Sequence, residues 1–146
     1  MRSEGAARDA ERLARAVLSR GSEPGDLTTA SLVEQLGANR ALDELLVPKA
    51  NSALSSRLAS VDPVQELEEA DRHGIRFVIP GDPEWPASLF DLADPELQGL
   101  GGVPVGLWVK GPLSLRALDE SVAIVGSRAC SVYGIEVAGG MASLVS

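Results

Sequence analysis

The 146 residues are 45% hydrophobic and 23% charged, which excludes an intrinsically disordered chain and leaves enough apolar material for a packed core. The length admits either one ordinary domain or a small helical domain joined to part of a second. A net charge of −8 argues against an all-over basic surface for nucleic acid, and 3% aromatic residues leave few platforms for base stacking.

The excess acid precedes Lys110. From there on, Lys110, Arg116 and Arg128 balance Asp119, Glu120 and Glu136, so any DNA contact is expected in the C-terminal part. Cys130 is the only cysteine, which excludes an intrachain disulfide and a cysteine-based metal site. The opening residues alternate charge with Ala and Leu and read as a helix, not a signal peptide. No window has the length needed to cross a bilayer, so a cytoplasmic protein with no membrane partner is expected.

Ala6, Ala10, Leu13 and Val17 recur at three- and four-residue spacing and predict an amphipathic helix over Ala6 to Leu18, with Arg12 and Arg15 on the opposite side and Gly21 as the stop. A second helix is predicted from Thr28 or Thr29 to Gly37, burying Leu32, Val33 and Leu36. A third carries Leu42, Leu45 and Leu46 and halts before Pro48, and a weaker fourth spans Ser52 to Ala59. The fifth has the clearest signals: Asp62 as N-cap, Pro63 at the first helical position, Gln65 at the reciprocal capping position and His73-Gly74 at the end. His73 reads as a cation suited to the negative end of that helix and not as a metal ligand or catalytic group.

After Gly74 the pattern changes. Ile75 to Ile79 predicts a short strand, Pro80 to Pro86 a turn, and Leu89 to Leu92 one helical turn. The Gly- and Pro-rich stretch from Asp94 to Pro104 predicts loop, and Val105 to Val109 a second strand. A brief helix is expected around Leu113 to Leu118. Ser121 to Val125 is short and nearly all apolar, the pattern of a parallel strand buried on both faces. Trp85 and Trp108 are expected in the core rather than stacking on bases, and Cys130 as a buried filler.

Val125-Gly126-Ser127-Arg128-Ala129-Cys130-Ser131-Val132-Tyr133-Gly134, with a helix from about Ile135, has the order strand, glycine turn, helix. At such a turn the helix amides and dipole favour an anion. Gly126 permits close backbone approach, Ser127 and Ser131 offer hydroxyls, and Arg128 offers a planar fork for phosphate oxygens. The segment is neither GxGxxG nor a Walker loop, which removes support for dinucleotide binding and ATP hydrolysis. Local chemistry alone leaves open that Gly126 only ends a strand and Arg128 is a solvated side chain.

The ordered landmarks IRFVIPGDPEWPASLFDL, GLWVKG and SVAIVGSRACSVYG resemble the DNA-processing protein A (Smf) family. The resemblance implies an α/β protein with a small all-helical, SAM-like domain over residues 1–74 and the start of a Rossmann-like parallel-sheet domain over 75–146. It implies that Gly126, Ser127, Arg128, Ser131, Tyr133 and Gly134 form a DNA- and phosphate-binding site, with Arg128 as the charge contact. It also implies a non-enzymatic protein, without cofactor, catalytic residue or metal, that protects single-stranded DNA in natural transformation and loads the RecA recombinase. Homodimerisation would run through a full-length Rossmann-like domain. The chain stops at Ser146, before the family's later segments, so the sequence predicts an incomplete second domain that is marginally stable, prone to associate and a poor DNA binder alone. Two other readings remain at this stage: a nucleotide-binding enzyme of the lysine-decarboxylase-like phosphoribohydrolase group, and an acidic helical protein-interaction module.

Overall fold

The computed structural model describes residues 2–47, 53–94, 96–97, 99–118, 121–127 and 129–145. Helix α1 (Arg2–Gly21) is followed by α2 (Leu27–Leu36), α3 (Ala38–Leu46), α4 (Ala53–Ala59) and α5 (Pro63–Arg72). Then come strand β1 (Ile75–Val78), a 3₁₀ segment (Ala87–Leu92), the short strands β2 (Glu96–Leu97) and β3 (Leu100–Gly101), and β4 (Leu107–Lys110). A second 3₁₀ segment (Leu115–Leu118) and helix α6 (Val132–Val145) complete the order. The protein is therefore mostly helical with small sheets, consistent with an α/β chain. Pro48 and Ser52, expected to end the third helix and begin the fourth, lie outside the described residues.

Local signals set several boundaries. Asp62 accepts hydrogen bonds from the amides of Val64 and Gln65, Pro63 opens α5, and His73 closes it. Gly74 follows at φ 66°, a left-handed conformation that glycine adopts without a Cβ clash. Asp26 caps α2 in the same way through the amides of Thr28 and Thr29, and Gly37 at φ 78° turns the chain into α3.

The core has two clusters that share α1. Ala14, Val17 and Leu18 of α1 pack with Ala38 and Leu58, and Val33, Leu42, Leu45 and Leu54 lean on them. Ala16 joins Phe77 and Ile79, with Leu67 and Trp108 alongside. Successive helix positions are about 100° apart, so burial at 14, 16, 17 and 18 means that α1 is covered around most of its circumference. Ala6 and Ala10 are exposed, whereas Arg12 and Arg15 are partly buried, so the expected solvent side of α1 is corrected. Their apolar stems lie along the protein while the guanidinium groups reach the carbonyl oxygens of Phe77 and Val105. Leu36, expected in the core, is 39% exposed at the end of α2.

β1 and β4 pair antiparallel, with Phe77 opposite Trp108 and Val78 opposite Leu107. The Phe77 and Trp108 rings lie 4.4 Å apart at 35°. Within the stretch expected to be loop, β2 and β3 form a second small antiparallel pair. Leu100 also bridges to Asp26, and the Gly101 amide donates to the Gly25 carbonyl.

Every strand pairing among the described residues is thus antiparallel. Ser121 to Val125, read as a buried parallel strand, has no regular secondary structure, and Val125 is 90% exposed. A strand exists only with a partner for its amides and carbonyls, and no described segment runs beside this one. Its apolar side chains are left uncovered by the described residues.

A Cβ at Gly106 would stand 2.3 Å from Cζ and 2.6 Å from Cε2 of the buried Phe77 ring. Gly106→Ala is therefore expected to displace that ring from Trp108 and cost roughly 1–3 kcal/mol. Thermal unfolding of the variant checks this, and an unchanged midpoint would refute it.

Candidate functional site

Five of the six residues singled out from the sequence fall at the start of α6 and in the coil before it. Arg128 lies outside the described residues. Gly126 has no left-handed φ, and nothing stands within 4 Å of where its Cβ would be. Among the described residues no contact demands glycine here, whereas close approach of a ligand to the backbone would. The Ser127 hydroxyl lies 3.3 Å from the amide nitrogen of Ala129, a local serine turn.

Ser131 immediately precedes α6. Its hydroxyl accepts the Gly134 amide at 3.2 Å, and its carbonyl accepts the Ile135 amide at 3.1 Å. This is an N-cap, and it corrects the expected helix start near Ile135 to Val132. A hydroxyl that accepts from an amide still has its own proton to donate, so capping leaves Ser131 able to bond an anion. Gly134 lies inside the first turn, where an added Cβ would make ordinary contacts with Cys130 at 3.4 Å and Ser131 at 3.7 Å. The Tyr133 side chain is 74% exposed.

Cys130 is exposed, not the buried filler expected. Val122, Val125, Val132, Ile135 and Leu144 are exposed as well. The site is thus an open, weakly charged surface of backbone and hydroxyl groups, with Glu136 the one acidic side chain between 121 and 145. A cavity of about 650 Å³ opens elsewhere, lined by Leu27, Val33, Phe90, Val103 and Pro104 among others, and takes in none of the five described site residues.

Trp85 is buried and Trp108 half-buried against Phe77, as the core reading expected. The Trp108 indole donates to the Ser19 hydroxyl at 3.1 Å. His73 is exposed and bonded to Glu69 at 2.8 Å, one turn earlier on α5. Among the described residues no cluster of three His, Cys, Asp or Glu side chains is arranged to hold a metal ion, and no helix is long and apolar enough to cross a membrane.

Sequence reasoning missed the densest polar network. Asp82 accepts hydrogen bonds from Arg8 and Arg12 of α1 and from the Ile79 amide, while Glu84 pairs with Arg76 through two hydrogen bonds of 2.7 and 2.8 Å. Burial pushes the Asp82 carboxyl up, but Arg12, the Ile79 amide and Arg8 together outweigh it and hold the group below the usual carboxylate range. Hydrogen bonding to Arg76 lowers Glu84 against partial desolvation. The same pair raises Arg76. Two acids inside a Pro-rich turn, with Arg8 and Arg12 one helical turn apart, were the available signal, but some seventy residues separate them.

Residues 76–146 match the sequence model of the family described as DNA recombination-mediator protein A. Two curated relatives, from the Mycobacterium tuberculosis strains CDC 1551 / Oshkosh and ATCC 25618 / H37Rv, are named provisionally as DNA processing protein DprA. Each is 31% identical to this chain over 136 residues, which is 88% of the chain. The chain spans about a third, 35%, of the length of these relatives. No solved structure matches it. The matched region contains the turn at Asp82, strand β4 and all six site residues, and the chain belongs to the DNA-processing protein A (DprA) family.

Proposed function

We propose that this chain is the front part of a recombination mediator that binds the phosphate backbone of single-stranded DNA through residues 126–134. In this reading it protects strands taken up in natural transformation, helps to load RecA on them in the cytoplasm, and catalyses no reaction. The observation that carries the proposal is the family match over 76–146, which includes the Gly126-to-Gly134 segment.

The local chemistry supports it. Ser131 caps a 14-residue helix while keeping a proton to donate, Gly126 leaves the backbone open to close approach, and Arg128 stands between the two serines in sequence. A helix N-terminus with such donors favours an anion. We read residues 1–74 as a SAM-like helical domain and 75–146 as the start of a Rossmann-like unit. The exposed apolar run at 122–125 and the apolar α6 suit a sheet and layer completed by further strands, a unit through which homodimers would form.

Anisotropy titration of a labelled oligo-dT in low salt tests the proposal. Binding is expected to weaken with salt, and Arg128→Ala is expected to lose about tenfold in affinity while the slope of log K against log salt falls by about 0.7. Equal binding by wild type and variant would remove Arg128 from the contact. Release of base from a nucleoside monophosphate would instead indicate a phosphoribohydrolase.

A further inference from the structure

The Asp82-Pro83-Glu84-Trp85-Pro86 turn lies far in sequence from the candidate DNA loop, yet its two acids are fully engaged. Asp82 faces α1. Arg8 donates to its carboxylate at 2.8 Å and to the Gly81 carbonyl at 2.6 Å, and Arg12 donates to the carboxylate at 2.8 and 3.1 Å. The Ile79 amide, just past the end of β1, donates to the same carboxylate at 2.9 Å.

Glu84 serves a separate set of donors. It pairs with Arg76 and accepts the Leu115 amide at 3.4 Å. Arg76 in turn donates to the carbonyls of Gly111 and Leu113, in the stretch that leaves β4. Pro83 and Pro86 fix φ on either side of Glu84 and limit the turn's freedom, and the buried Trp85 anchors it beside Phe90, with ring centroids 6.4 Å apart.

We propose that this turn is a two-sided bracket: Asp82 fixes α1 to the end of β1, while Glu84, through Arg76 and Leu115, fixes residues 111–115 to the same sheet. The front helices and the stretch leading toward residues 121–134 are thereby held in one frame. The bracket does not rest on the DNA-binding reading, and its test contains no DNA.

Hydrogen–deuterium exchange of the 146-residue chain, read by peptide mass, separates the two sides. Asp82→Asn is expected to speed exchange about tenfold around residues 8–16 and 79–82 and to leave 111–118 unchanged. Glu84→Gln is expected to do the reverse. Should Asp82→Asn lose its circular-dichroism signature, Arg12→Gln replaces it, because that change leaves the Ile79 amide bonded to Asp82; faster exchange around residues 8–16 with 111–118 unchanged is then expected. Exchange that rises equally on both sides, or on neither, overturns the bracket.

Discussion

Leu58→Ala is expected to lower the stability of the front helices by about 2–5 kcal/mol, read as a fall in the urea midpoint with little change in slope. Leu58 is 1% exposed and packs from the short helix α4 against Ala14, Val17 and Leu18 of α1. α4 has only seven residues, so little but packing holds it in place. The neighbouring Gly21 sharpens the prediction. A Cβ there would meet Leu58 Cδ2 at 2.4 Å, so Gly21→Ala alone is expected to destabilise by overpacking. In the double variant the new methyl occupies part of the space that Leu58 vacates, and the combined loss should be smaller than the sum of the two. Strict additivity would show that Gly21 and Leu58 do not share that space.

Gly21 also shows what the sequence can and cannot disclose. Its place at the end of a periodic run was legible, and α1 does end there. That it is glycine because Leu58 lies against it was not, since the contact joins residues 37 apart. The same holds for Gly106 beneath Phe77. α5 was legible from end to end because Asp62, Pro63, His73 and Gly74 are local signals within one element. The sides of α1 were misread because Arg12 and Arg15 find their partners at Phe77, Asp82 and Val105, which no local periodicity encodes.

The candidate site was legible in kind and less so in placement. The helix that follows the glycine-containing segment was there to read, but Ser131 was taken only as an anion donor, and its capping role shifts the helix start from Ile135 to Val132. The run at 122–125 marks the other boundary. Apolar composition predicts burial only where other segments supply the cover, and here Val122 is 68% and Val125 90% exposed. Ser127, Ser131 and Tyr133 are exposed with them.

Asp82→Asn is expected to cost about 2–3 kcal/mol at neutral pH, and the cost should shrink as the solution is acidified. The Asp82 side chain is 12% exposed and accepts from two guanidinium groups, so replacing its charge by an amide weakens several charge-assisted hydrogen bonds at once. Its folded-state pKa is lowered from the ordinary value, against the opposing effect of burial. A carboxyl lowered in this way contributes stability that is fully present above its unfolded pKa of about 4 and is lost as pH falls through the folded value. Wild type therefore loses this contribution on going below about pH 4, while the Asn variant has none to lose, so the two unfolding midpoints should converge in acid. Glu84, lowered as well and present in both proteins, makes both curves fall but does not separate them. Thermal midpoints measured from pH 7 down to pH 3 decide the matter. Curves that stay parallel would mean that the charge on Asp82 is not what holds α1 to the strand pair.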